Sequence, residues 1–467
     1  MVHKNIGDYI VFICMIFTVL TGCAVRIPAP LEPVVLEEAP QWNVADYKLI
    51  FGSLFTAQQN VGMQKFIGEV LAHNPDLKSL ASTVKATRYN AHIAKAEIWP
   101  QAGFNVSGRR EKNALTKEMD KTVSISFEVS WALDIWGKLL DDARSAQYLS
   151  EKSEYDLSQA KRVMVAQSVN LWVEYLNDIR IENDLTNLNA IFNNILDYYE
   201  ESYQTGLSPF EFYLNAKNNL KNGQTRIRQV QLERIKTGLT MNIMRGHFPA
   251  GKLVIKESRI PITLMALPDS ISPTSLAERP DIRSAFAQTR GFEFSARAAY
   301  KALLPQINLT VSAFKNGETL KKAFNGDLLW QLVGGLTQPL FNGGQLRAIA
   351  RQKSAEAEAS WWQYRNTVLK AMLEVEQAMA DDKMLARRIG QKKTMLKDME
   401  KKTASAKERF SDGDMALPDY LQIKAERIEA QMELSGIELL YIKNRLSLVM
   451  ALGLPVETMS ENKNEKS

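Results

Sequence analysis

Thr122-Val123-Ser124-Ile125-Ser126-Phe127-Glu128-Val129-Ser130-Trp131 alternates without a break, with Val123, Ile125, Phe127, Val129 and Trp131 on one face and Ser124, Ser126, Glu128 and Ser130 on the other. Period-two alternation marks a strand with one apolar and one wet face. A run just before it, Phe104 to Arg110, alternates as well, and a charged loop separates the two. The pattern returns later in the chain. Ile307, Leu309, Val311 and Ala313 stand opposite Asn308, Thr310 and Ser312, and a weaker return strand, Leu328 to Gln338, sets Trp330, Leu332, Gly334 and Leu336 against Gln331 and Thr337. A soluble sandwich would also alternate. Two features oppose it: each run approaches the roughly 9 to 11 residues of a tilted membrane strand, and the small Ser, Thr and Asn side chains suit a water-filled interior. Four strands cannot close a barrel, and an open sheet edge is not tolerated in lipid, so several chains must share one barrel.

Around the strands the chain says the same thing twice. Pro75 and Pro280 are 205 positions apart (280 − 75), as are Pro100 and Pro305. A helical stretch from about Met63 to Ile98 leads into the first pair of strands. Helical stretches from Lys138 to Thr205 and from Gln345 to Asp412 follow the two strand pairs, and each stops at a glycine, Gly206 or Gly413, before a shorter helix. Each long helix would span roughly 100 Å at about 1.5 Å per residue, too long for an independent globular domain. Leu157, Met164 and Leu171 recur at seven, as do Leu185, Phe192 and Tyr199, and Leu188 with Ile195, which reads as packed coiled coil.

The amino terminus reads as a lipoprotein signal. Lys4 precedes an apolar run from Tyr9 to Val19, and Leu20-Thr21-Gly22-Cys23 forms a lipobox with Cys23 as the residue to be acylated. Ala24 after it resembles an outer-membrane sorting signal. Cys14 falls in the removed segment, so the mature chain has no disulfide framework. The expected organisation is a signal peptide over 1–22, a Pro-rich lipidated tether over 23–60, a first repeat over 61–246, an irregular inter-repeat segment over 247–273, a second repeat over 274–452 and a polar tail over 453–467.

Charge and chemistry exclude other classes. The net charge of +5 is small against 58 basic and 53 acidic residues, dispersed along the helices, so no nucleic-acid partner is expected. Four histidines, His3, His73, His92 and His247, lack ligand spacing with Cys, Asp or Glu, and no phosphate-cradling glycine loop is present. No enzyme, cofactor or resident metal is expected; the seventeen methionines mostly sit at helical core spacing.

Several motifs together carry a resemblance. They are the lipobox at Cys23, Leu276-Ala277-Glu278-Arg279-Pro280-Asp281-Ile282-Arg283, Leu303-Leu304-Pro305-Gln306, Leu133-Asp134-Ile135-Trp136-Gly137-Lys138 and Pro339-Leu340-Phe341-Asn342-Gly343-Gly344. Over about residues 60 to 455 the chain resembles a TolC-type outer-membrane factor of the NodT-like efflux lipoprotein class. The resemblance implies a mixed α and β membrane protein: a homotrimer whose long antiparallel coiled-coil helices form a periplasmic α-barrel, with four strands per chain making a shared twelve-stranded transmembrane β-barrel. It implies a periplasmic adaptor (membrane fusion protein), an inner-membrane RND or ABC pump and outer-membrane lipids as partners, and the role of an efflux exit duct. A periplasmic coiled-coil or adaptor lipoprotein without a channel is the alternative.

The family's gate lies where a long helix turns into a short one, here 203–209 and 410–419. The resemblance puts Asp419 at the constricting acidic position, with Glu211 as its approximate counterpart and Gln422 where the best-known member has a second aspartate. Asp412 and Asp414 add negative charge. Phe410 and Met415 stand where that member locks its turns with Tyr and Arg, so polar links of that kind are not expected. Each aspartate also suits a plain turn or N-cap role, Asp419 as the cap of a helix beginning near Tyr420.

Overall fold

The computed structural model describes residues 61–112, 119–250, 270–271 and 273–453, with 42–43 and the single positions 29 and 255. Cys23, the expected signal peptide, almost all of the expected tether, residues 113–118, most of the expected inter-repeat segment and the tail after 453 lie outside the described residues. In chain order the main elements are α1 (Val61–His73), α2 (Pro75–Ala96), β1 (Gln101–Lys112), β2 (Met119–Leu133), α3 (Lys138–Gln204) and α4 (Phe210–Met244). The second set is α5 (Pro280–Lys301), β3 (Gln306–Gly317), α6 (Leu320–Phe324), β4 (Leu329–Thr337), α7 (Gln345–Ser411) and α8 (Leu417–Ala451). The two long helices have 67 residues each and the two shorter ones 35 each, so the duplication read from the prolines and glycines is present in the strand pairs and the helices that follow them, while α1 and α6 each belong to one repeat only.

One compact unit comprises 82–155 and 281–367. Its sheet is antiparallel in the order β1-β2-β3-β4. Register makes the alternation of separate strands coincide. Val129 pairs with Val311, Phe127 with Ala313 and Trp131 with Leu309, while Phe104 pairs with Phe127 and Val311 with Leu332. One face therefore carries a continuous apolar band, and Phe104, Phe127, Val311, Trp330, Leu332 and Leu336 on it are exposed. Water cannot be the intended neighbour of such a band.

The helices of this unit adjoin in the same order as the strands they serve. Thr87 and Ser153 hydroxyls meet at 2.6 Å between α2 and α3, Tyr148 stacks on Phe294 at 5.6 Å between α3 and α5, and Thr289 meets Ser360 at 3.1 Å between α5 and α7. Where helix gives way to strand the junctions are tied. Trp131 Nε1 donates to the carbonyl of Ile98 at 2.9 Å, and Gln338 Nε2 does the same to Leu303 at 3.1 Å. Lys301 Nζ donates to buried Asp141 at 2.6 Å and to the carbonyl of Gly137 at 3.0 Å, linking the start of α3 to the end of α5.

The second unit takes in the remaining described helices, from 156–280 and 368–453 together with α1 and the start of α2. One core gathers Met63, Ile67 and Val70 of α1, Val169, Val173 and Leu176 of α3, Met241 of α4 and Leu446 of α8. Another holds Leu185, Leu188, Ile191 and Ile195 of α3 with Ala216 of α4 and Leu421 and Ala425 of α8. The seven-residue spacing seen in the sequence thus falls on the packed seam: Leu185 and Leu188 are buried, and Phe192 and Tyr199 pack against the same cluster.

One expectation is corrected. The stretch from Met63 to Ile98 is two helices, not one, with the break at Asn74. Pro75 cannot extend α1 but fits the first position of α2. Asn74 Oδ1 accepts from the Leu77 backbone N–H at 3.1 Å, while its Nδ2 donates to the carbonyl of Met244 at 3.0 Å. The break also lets the chain approach the end of α4. Gly246 has φ +74°, and a Cβ there would lie 2.6 Å from the carbonyl oxygen of His73.

Candidate gate at the helix turns

Both turns between long and short helix are built alike, 207 positions apart. Gly206 and Gly413 adopt φ of +72° and +82°, a left-handed conformation that favours glycine. The Leu207 N–H donates to the carbonyl of Ser202 at 2.8 Å, and Asp414 repeats the bond to Arg409 at 2.8 Å. Extended Pro209 and Ala416 then open α4 and α8 without a side-chain cap.

The acidic residues singled out from sequence are all exposed, and they sit differently. Asp412 and Asp414 belong to the turn itself. Asp419 and Glu211 lie in the first turns of α8 and α4, where the helix dipole favours a carboxylate. Gln422 follows one turn further along α8. The capping role considered for Asp419 does not hold, because α8 begins at Leu417 after Ala416 rather than near Tyr420. The 207 register makes Phe212 the mate of Asp419, and Glu211 lies one position before it.

Asp419 is brought to the first repeat through Tyr199. That ring stacks on Phe212 at 5.5 Å and meets Tyr198 edge-on at 5.4 Å. The Tyr199 phenol is pushed above its ordinary pKa, first by burial and then by the negative charge of Asp419, with Tyr198 adding to it. No such link to the first repeat is seen for Asp412 or Asp414 among the described residues.

What sequence reasoning missed is an aromatic clasp in each turn. Phe410 stacks on Tyr420 with centroids 5.2 Å apart and planes within 9°. Their register mates Tyr203 and Tyr213 stack at 6.1 Å, with Phe210 inserted at 5.0 Å from Tyr203. Lys217 lies over Tyr213 at 5.3 Å, and its mate Lys424 lies over Tyr420 at 5.6 Å. Aromatic pairs contribute about 0.5–1.5 kcal/mol beyond burial, and exposed cation–π contacts about 0.5–1 kcal/mol. The signal was available: aromatic and lysine residues recur at the same offset as the glycines. Phe410 thus makes a ring stack where a polar link was not expected.

Among the described residues no group of His, Cys, Asp or Glu is arranged to hold a metal ion. No helix among them is long and apolar enough to cross a membrane, which says nothing of the sheet.

A sheet with one apolar band, two edges that meet no strand among the described residues, and long paired helices defines the class of outer-membrane channels with a helical extension. The chain belongs to the outer membrane efflux protein family, whose model matches residues 66–241 and 271–454. It is similar to the pyoverdine export outer membrane protein OpmQ of Pseudomonas putida, 24% identical over 400 residues covering 81% of this chain and 83% of that one. It is also similar to the probable outer membrane lipoprotein SilC of Salmonella typhimurium, 23% identical with 84% and 85% covered. Among solved structures, the outer-membrane channel OprN aligns with a TM-score of 0.82 at 19% identity, covering 92% of this chain and 99% of that one. The Campylobacter jejuni CmeC channel aligns with a TM-score of 0.81 at 20% identity, covering 92% and 95%. The protein is an outer-membrane exit duct of an efflux or export system.

Proposed function

We propose that three copies of this chain assemble into one duct, each giving β1 to β4 to a twelve-stranded barrel, and that the duct receives cargo from a periplasmic adaptor and an inner-membrane pump. The observation that carries this reading is the four-stranded sheet whose outer strands, β1 and β4, have no partner on their far sides among the described residues. In lipid each such edge needs a neighbour, and an up-and-down sheet of four strands meets its copy antiparallel. Acylation at Cys23 adds a second anchor to the strands. The repeats run over 61–246 and 274–452 and are joined by 247–273.

The gate is proposed at the helix turns. Three Asp419 carboxylates around the axis form an acidic ring, with Asp412, Asp414 and Glu211 contributing field, and the two aromatic clasps hold the turns in shape where the best-known member has Tyr and Arg. The named cargo of relatives is diverse: pyoverdine for OpmQ, cations for the Escherichia coli system protein CusC, solvent for SrpC of Pseudomonas putida. Cargo choice therefore belongs to the pump, and the duct supplies a polar path with no chemistry of its own. Planar-bilayer recording of the purified protein tests the reading. Discrete conductance steps with cation preference are expected; a protein that binds membranes yet never conducts, even with Phe410→Ala and Tyr203→Ala in the turns, would favour the adaptor-like alternative.

A further inference from the structure

The face of the sheet that carries the apolar band changes character at its hairpin end, away from the helices. Arg110 pairs with Lys121 and Ile125 pairs with Lys315, so these three basic side chains stand on three adjacent strands and on the same face as Val123 and Phe127. Lys112, opposite Met119, extends the row. The other face is mixed there, with Arg109 bridging to Glu111 at 2.5 Å and Asp120 paired across from Glu111. Among the described residues, every charged side chain on the band's own face at this end is basic.

Like charges directly opposite one another destabilise a sheet, so the fold gains nothing from setting exposed Arg110 against exposed Lys121. The neighbouring carboxylate, Glu318, pairs with Lys322 at 2.6 Å, and Lys121 adds only a weaker influence on it. A second observation concerns α6. Gly317 shares the band's face, and a Cβ on it would lie 2.3 Å from the backbone nitrogen of Ala323, so α6 folds down against that side. It presents Leu320 and Phe324 exposed beside Lys321 and Lys322, and Trp330 on the adjoining strand is 74% exposed. Basic residues just beyond an apolar band, with an aromatic and an amphipathic turn beside them, match the boundary between acyl chains and anionic headgroups.

We propose that this rim binds a phosphorylated glycolipid of the outer leaflet, with exposed Arg110 and Lys121 taking the headgroup phosphates, Lys315 adding charge beside them while its Nζ donates to the carbonyl of Phe324 at 3.1 Å, and Trp330, Leu320 and Phe324 seated at the acyl boundary. The proposal rests on the barrel reading above and goes beyond it in naming a lipid partner and the residues that select it.

The full-length purified protein is titrated with bis-phosphorylated lipid A, with the same lipid stripped of phosphate, and with inorganic phosphate. Wild type, R110Q/K121Q/K315Q and R109Q are compared. Wild type and R109Q should bind the phosphorylated lipid alike, and the triple variant about tenfold or more weakly; stripped lipid should bind weakly to all three, and inorganic phosphate should not compete. Unchanged affinity in the triple variant overturns the proposal. So does equal binding of stripped lipid, or competition by inorganic phosphate at similar affinity, which would make the rim a free-anion site. Should the triple variant fail to assemble, K121Q alone carries the same comparison with a smaller shift. Outer-membrane fractionation separates the two levels: wild type absent from outer membranes defeats the barrel, whereas full insertion without lipid discrimination defeats only the rim.

Discussion

Arg279 donates through its guanidinium to the carbonyl oxygen of Ala451 at 2.8 Å, closing the end of α8, and its register mate Asn74 does the same for α4 through Met244 at 3.0 Å. The residue before the opening proline of each repeat thus caps that repeat's last helix, about 170 residues away. The second nitrogen of Arg279 bonds Glu374 on α7 at 2.9 Å. Arg279→Ala removes a nearly buried cation and leaves the Ala451 carbonyl without this donor, which should cost about 1–3 kcal/mol. Thermal unfolding of the purified oligomer should show a lower midpoint, with Arg279→Lys recovering part of it; an unchanged midpoint would mean that the cap adds nothing.

The assigned facing of the sheet is tested by two neighbours on β2. Phe127 lies on the apolar band and Ser126 on the opposite face. Arg in place of Phe127 should cost roughly 2–4 kcal/mol near the bilayer midplane, while Arg in place of Ser126 is a lumen change. Oligomer yield from outer membranes should fall only for the first. Equal losses would reverse or abolish the facing.

The proposed ring of Asp419 carboxylates predicts a conductance effect. Asp419→Ala should weaken cation preference and block by multivalent cations, with the difference shrinking at high salt as charges are screened. A role confined to the first turn of α8 would instead cost about 0.3–1 kcal/mol of local stability and leave selectivity alone. Single-channel recordings distinguish the two.

The aromatic clasps predict a leak. Phe410→Ala removes the stack on Tyr420, and Tyr203→Ala removes its mate, each at about 0.5–1.5 kcal/mol. The double variant should raise basal conductance and sensitise cells to large antibiotics, whereas Phe410→Tyr should preserve closure. Unaltered conductance in the double variant would show that the stacks do not hold the turns shut.

Asp178 on α3 predicts a pH dependence. Burial above all, then Glu174 and Glu233, raises its pKa to about 6 against the opposing pull of Arg234 and Lys443. A carboxyl with a raised folded-state pKa binds more protons folded than unfolded, so its contribution to stability falls as pH rises from about 4 through about 6. Asp178→Asn should therefore raise the thermal midpoint at pH 7.5, and the gain should vanish near pH 4. An equal gain at both pH values would assign the effect to packing.

Much of this architecture is written in local pattern. Period-two runs such as Val123 to Trp131 announce strands, and the glycines at 206 and 413 end helices because the chain there must turn left-handed. Both long helices end within one residue of their expected limits. Less visible was whatever depends on elements meeting. The expected single helix through Asn74 failed although the local signals stood in the sequence, since Pro75 cannot extend α1 and Asn74 accepts from the Leu77 N–H; only the further bond of Asn74 to Met244 is remote. Arg445 and Asp382, buried together with a 2.9 Å hydrogen bond, are 63 positions apart, and neither side chain alone advertises burial. At the turns the acidic residues stood out by type, while the stack of Phe410 on Tyr420 emerges only when two helices face each other.

In the proposed barrel β1 of one copy pairs with β4 of the next, and cysteine crosslinking reads that contact. Cys14 and Cys23 are the chain's only cysteines, the first in the expected leader and the second the expected acylation site, so introduced thiols report cleanly. One cysteine at 105 or 106 on β1 is combined with one at 331, 332 or 333 on β4, and outer membranes are oxidised. At least one combination should yield covalent dimers and closed trimers on denaturing gels, with no species larger than three chains. Monomers alone across every combination, or ladders running beyond three chains, would contradict a barrel shared by three copies.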